Sequence, residues 1–160
     1  MMMHLLSGGR LRMRRSIYHP GAAKEETMES RAAIPNSIVP WLNVPNSAQA
    51  IEFYKAAFGA VEVFRLGDGD SVIARLSVAG AEFWVGDESP QHFNFSPQSL
   101  SGSTVRIIFS VADPDAVVAR AVEAGASEVY PVAPRHGWRL GRIADPYGHH
   151  WEIGRPPAQS

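Results

Sequence analysis

Cysteine is absent from all 160 residues, so neither a disulfide framework nor a thiolate metal site can form. No apolar run approaches the roughly 18 residues that a membrane-spanning helix requires. Charge of either sign is not in excess: 15 Lys and Arg against 16 Asp and Glu give a formal net charge of −1. Neither nucleic acid nor a membrane surface is therefore expected as a partner. A phosphate-cradling glycine loop and an activated-nucleophile motif are also missing. What remains is globular in composition, 45% hydrophobic and 19% charged, and long enough for one domain with a sizeable core. A cytoplasmic protein is the expectation.

The chain opens differently from the way it continues. Arg10, Arg12, Arg14 and Arg15 precede the first acid, Glu25, and a polar run follows to Glu29. An Arg-rich, acid-poor start fits an organelle-targeting segment. It better fits a disordered tail or an over-long start with the true one at Met13 or Met28, because a stretch without apolar periodicity does not offset its ordering entropy. Residues 1–34 are read as a poorly ordered extension and 35–156 as a single domain.

From Asn36 onward the pattern is regular. Alternation over 38–44 predicts a strand, and Asn46 or Ser47 caps a helix running to Phe58, with Gly59 as its terminator. Strands are expected at 60–66, 71–78 and 81–85, the first two joined by the hairpin turn Gly67-Asp68-Gly69-Asp70. Those aspartates stop short of a full calcium loop. Residues 87–103 are polar and rich in Pro, Ser and Gln, with the composition of a linker or lid; Phe93 and Phe95 are its apolar contacts. The order then returns. A strand at 105–111 leads to a helix capped by Asp113, started by Pro114 and ended at Gly125, with strands at 126–132, 139–144 and 149–153 and a loop at 134–138.

The chain is β-α-β-β-β written twice, with modules at about 36–86 and 104–155. Val44 matches Val111 at an offset of 67, Gly59 matches Gly125 at 66, and Gly80 matches Gly148 at 68. Unrelated segments seldom keep both a helix cap and a turn in register. The fold class is α+β: two βαβββ modules in tandem, forming a cupped mixed sheet around a cleft. Each sheet carries one helix on one face, and the twin module is the simplest cover for the other.

The segments IEFYKAAFGA, VADPDAVVARAVEAGA and GRIADPYGHHWEI resemble the vicinal oxygen chelate superfamily of glyoxalase I, extradiol dioxygenases and bleomycin-resistance proteins, and most closely its PhnB-like branch. The likeness covers about 36–156 and implies a homodimer. In metal-using members four ligands come from the first and last strands of the two modules. Carried over by register, these positions are Val39, Trp84, Arg106 and Glu152, of which only Glu152 can bind a metal. No cofactor and no metal site are expected on that basis. The alternative recruits His150 with His136 or His92 beside Glu152; His149 and His150 fit a structural role in this turn better.

Alternation puts Val39, Trp41, Asn43, Glu82, Trp84, Arg106, Ile108, Ser110, His150 and Glu152 on the cleft face, with Arg139 or Trp138 joining from the loop side. Two indoles suit a flat aromatic or apolar ligand, and equally suit core filling. Arg106 and Glu152 occupy neighbouring positions. They form either a structural ion pair in place of the metal, or an anion clamp and a general base. Trp41, Trp84, Arg106, Ile108, His150 and Glu152 are the expected ligand-binding set. The expected function is metal-independent binding of an aromatic or drug-like small molecule. The alternative is a glyoxalase-type lyase or isomerase with Glu152 as base, with or without a divalent metal.

Overall fold

The computed structural model describes residues 36–158. The expectations for residues 1–34 lie outside the described residues. The elements run β1 (Trp41–Val44), α1 (Ser47–Phe58), β2 (Val61–Leu66), β3 (Ile73–Val78), β4 (Ala81–Asp87), a one-turn α2 (Pro97–Leu100), β5 (Arg106–Ser110), α3 (Pro114–Glu123), β6 (Ser127–Arg135), β7 (Trp138–Ala144) and β8 (His150–Arg155). Two four-stranded mixed sheets result, ordered β1-β4-β3-β2 and β5-β8-β7-β6, so the tandem βαβββ modules are present with identical topology. In each, the first strand pairs in parallel with the last, and the remaining pairings are antiparallel.

Local chemistry sets the boundaries. Asn46 caps α1 by accepting from the Gln49 amide at 2.9 Å, and Gly59 closes the helix in the left-handed region at φ 68°. Asp113 caps α3 through the Ala116 amide at 3.1 Å, with Pro114 in the first turn, where its missing N–H costs nothing. One expected loop is corrected. Residues 134–138 do not separate β6 from β7; the strands continue to Arg135 and resume at Trp138 around a two-residue turn. His136 (φ 51°) and Gly137 (φ 81°) both take positive φ, the turn that matches strand twist. Pro131 and Pro134 are tolerated because β6 is an edge strand.

The linker is tied down over much of its length. Glu88 accepts from the Ser96 amide (2.8 Å) and the Ser99 hydroxyl (2.7 Å), and Gln98 Nε2 donates to the Pro146 carbonyl at 2.7 Å. Pro97 sits so close to Gly148 that a Cβ there would lie 3.0 Å from the proline Cβ. Phe93 is 85% exposed, whereas Phe95 is 36% exposed and, with Pro97, Leu100, Trp41, Ile107 and His149, lines a cleft of about 370 Å³.

One core serves both modules. Tyr54 and Phe58 of α1 stack among Phe83, Phe109, Tyr147 and Trp151, and α1 packs directly on α3. At its centre the Asp145 carboxylate, 4% exposed, accepts from Tyr54 Oη (2.7 Å), Trp151 Nε1 (3.0 Å) and the amides of Tyr147 (3.0 Å) and His149 (2.9 Å). Four donors satisfy a buried carboxylate that, among the described residues, forms no ion pair. His149 Nε2 lies 3.0 Å from the Asn43 carbonyl, so that nitrogen donates and ties β1 to the turn before β8. What the modules share is thus the helix side of their sheets. The expectation that each module's other sheet face is covered by its twin is corrected: those faces carry Trp41 (48% exposed), Phe64 (44%) and Ile108 (63%).

Candidate functional site

The open face of each sheet holds a row of side chains, and the two rows are built alike. In the first module, cross-strand pairing aligns Phe64, Arg75, Trp84 and Trp41. In the second it aligns Tyr130, Arg142, Glu152 and Ile108. Each row therefore has an aromatic on its second strand, an arginine on its third and the family's ligand position on its fourth. A sequence-level search for the repeat that includes these residues finds Phe64 and Tyr130, Arg75 and Arg142; reasoning from the ligand positions alone misses all four.

The first row is an aromatic wall. The Trp41 and Trp84 rings stack with centroids 5.6 Å apart and planes 11° from parallel, and Phe64 meets Trp84 edge-on at 5.5 Å. The Arg75 guanidinium lies over Trp84, 5.6 Å from its centroid. Gly86 makes the stack possible, since a Cβ there would stand 3.0 Å from Trp41 Cζ2.

The second row is a charged one. Glu152 Oε1 accepts from Arg106 Nη1 at 2.7 Å, from Tyr130 Oη at 3.2 Å and from Arg142 Nη2. The Glu152 side chain is 12% exposed and that of Arg106 is 59% exposed. The Arg142 hydrogen bond, with help from Tyr130 and the Arg106 charge, holds the Glu152 carboxyl below the usual glutamate range against the opposing effect of burial. Arg142 is correspondingly raised, chiefly by its bond to Glu152. Tyr130 has guanidiniums over its ring from Arg135 (4.6 Å) and Arg142 (5.0 Å). Among the described residues the buried Nε atoms of Arg75 and Arg142 have no hydrogen-bond partner, and both arginines lie over aromatic rings.

The structure thus brings Arg106 and Glu152 together, and Trp41 and Trp84 together. It does not join the two pairs: among the described residues no hydrogen bond, ion pair or aromatic contact links one row to the other. His150 pairs with Arg106 across the sheet. Arg139 is corrected. Because β7 starts at Trp138, alternation turns Arg139 to the helix side, where it grips Asp115 with bonds of 2.6 and 2.5 Å. Trp138 is on the open side, 3.3 Å from where a Gly154 Cβ would stand.

The family's metal position does not fit a metal here. Val39, Trp84 and Arg106 offer no ligand, and the carboxylate of Glu152 is engaged by two guanidiniums. The alternative donor set is not assembled: among the described residues no three His, Asp or Glu side chains converge. His92 Nδ1 instead meets Ser89 Oγ at 2.8 Å, and His136 sits in the β6–β7 turn.

The glyoxalase-like domain family model matches residues 41–154. The chain belongs to this family, within the vicinal oxygen chelate superfamily. It is 37% identical over 143 residues to an uncharacterized protein of Mycobacterium tuberculosis, covering 85% of this chain and 84% of that one. The solved structure of an Arabidopsis thaliana gene product matches with a TM-score of 0.60 and 30% identity, over 76% of this chain and 100% of that one. TnmS3, an antibiotic binding protein from a Streptomyces species, shares the fold with a TM-score of 0.59 at 18% identity, over 78% and 98% of the two chains. No helix among the described residues is long and apolar enough to cross a membrane.

Proposed function

We propose that this protein is a metal-independent binder of small aromatic or drug-like molecules, cytoplasmic and homodimeric, of the bleomycin-resistance kind and the PhnB-like branch. The observation that carries the reading is the stacked Trp41–Trp84 pair with Phe64 on an open sheet face. Indoles placed for core filling would be buried; Trp41 is half exposed. A ligand ring set against this wall gains aromatic contact worth about 0.5–1.5 kcal/mol beyond its buried area. One protein that shares the fold, TnmS3, is an antibiotic binding protein.

The open rows support the homodimer. Each sheet face exposes apolar side chains that a second copy would cover, bringing the aromatic row of one protomer opposite the charged row of its partner. The alternative, Glu152 as general base of a lyase or isomerase, has less support. A base working near neutral pH needs a raised pKa, and the arginines lower that of Glu152.

The test is a screen of planar aromatic compounds by tryptophan fluorescence and calorimetry, beside elemental analysis of protein dialysed against zinc, nickel and manganese. Saturable binding without retained metal supports the proposal. Stoichiometric metal that is lost in Glu152→Ala overturns it.

A further inference from the structure

We infer that the ligand is an aromatic acid: a planar ring system bearing a carboxylate, sulfonate or phosphonate. This rests on the binding reading above and adds the charge of what is bound. The two rows and their neighbours hold four guanidiniums, Arg75, Arg106, Arg135 and Arg142, against two carboxylates, Glu82 and Glu152.

The carboxylates do not satisfy the arginines. Glu152 spends one oxygen on both Arg106 and Arg142, and Arg106 reaches it through Nη1 alone. With its side chain 59% exposed, Arg106 makes no other side-chain hydrogen bond among the described residues and presents its remaining donors to a second acceptor. Arg75 makes no side-chain hydrogen bond among the described residues; its nearest carboxylate oxygen, on Glu82, is 3.6 Å from Nε. Arg135 is exposed and rests on the Tyr130 ring. Even with Glu152 held ionised, the open face of the second sheet sets Arg106, Arg135 and Arg142 against that single carboxylate and is positive at neutral pH.

A guanidinium fork accepts a carboxylate or phosphonate in two parallel bonds. The indole wall accepts the ring. In the homodimer proposed above, the indole wall of one protomer stands opposite the arginines of its partner's second sheet, and one molecule satisfies both only if it is aromatic at one end and anionic at the other. A cationic aromatic meets the same wall but is repelled by the arginines.

The experiment is calorimetry on the full chain with three isosteric probes: 2-naphthoate, 2-naphthamide and 2-naphthylmethylammonium. The naphthoate is expected to bind about tenfold tighter than the amide, and the ammonium weakest of the three. Salt at about 0.5 M narrows the gap by screening. Arg106→Gln, at an exposed position, brings the naphthoate toward the amide, and Trp84→Ala weakens all three. Equal affinities for the three probes overturn the charge preference and leave aromatic binding standing. No heat from any probe at millimolar concentration overturns the binding reading itself.

Discussion

Tyr54 of the first module donates its hydroxyl to Asp145 of the second across 2.7 Å, inside a core where Tyr54 is fully buried. Burial, then the neighbouring carboxylate, raises the Tyr54 pKa well above the ordinary phenol value, so its hydroxyl is a donor at neutral pH. The DPYG turn is thereby a joint between modules as well as a turn within one.

Tyr54→Phe removes one of four donors from a carboxylate that stays buried. Unfolding in urea is expected to show a loss of about 1–3 kcal/mol. Asp145→Ala leaves the Tyr54 hydroxyl and the Trp151 indole N–H unpartnered together, and its loss is expected to be larger. A Tyr54→Phe protein as stable as the wild type would mean that the joint is held by aromatic packing alone.

Glu152 gives a pH dependence of definite sign. Its folded-state pKa lies below the unfolded value near 4.5, so its contribution is present above that value and disappears as pH falls through the folded pKa. Wild-type melting temperature is expected to fall below about pH 4.5 more steeply than that of Glu152→Gln. Glu62 and Asp115, also lowered by arginines, remain in both proteins and cancel in the comparison. Parallel melting curves would show that the arginines do not stabilise the ionised carboxylate.

The fold was legible because the repeat is local: caps at Asn46 and Asp113 and glycines at 59, 80, 125 and 148 recur with the hydrophobic period. Alternation also gave the open face correctly for Trp41, Trp84, Arg106 and Glu152. Of the two residues expected from the loop side, Arg139 or Trp138, Trp138 is the one on the open face, because Arg139 lies an odd number of residues from Arg142 and turns to Asp115. The sharing of the helix side between modules was beyond reach, since the side chains that decide it, Phe58 on Phe109 and Tyr54 on Trp151, are apolar or aromatic and fit either packing. The hairpin at His136-Gly137 escaped because Pro134 argued for a loop, and only the position of β6 at the sheet edge makes it tolerable.

Assembly is testable through exposed apolar positions. Sedimentation equilibrium is expected to return a mass near twice the 17.4 kDa chain. Phe64→Glu and Ile108→Glu, at 44% and 63% exposure, alter surface rather than core and are expected to shift the protein toward monomer with its helix-side core intact by circular dichroism. A monomer in the wild type at micromolar concentration would leave the two rows apart and require each to act alone.

The two glycines at equivalent places in the last strands, Gly86 and Gly154, separate ligand binding from folding. Neither takes positive φ, so alanine is tolerated by the backbone at both. At Gly86 the three atoms nearest the new Cβ all belong to the Trp41 indole, with Cζ2 at 3.0 Å. That half-exposed ring can tilt away, so Gly86→Ala is expected to cost less than about 1 kcal/mol of stability while unstacking Trp41 from Trp84. At Gly154 the Cβ meets the Arg139 carbonyl oxygen at 3.0 Å and Leu140 Cδ1 at 2.7 Å, and the backbone there is held by the β7–β8 ladder. Gly154→Ala is therefore expected to destabilise by about 1–3 kcal/mol. Thermal melts and naphthoate calorimetry on the two variants should diverge: weakened binding on a near-normal melt for Gly86→Ala, a lowered melt for Gly154→Ala. Full naphthoate affinity in Gly86→Ala would remove the Trp41 stack from the binding surface.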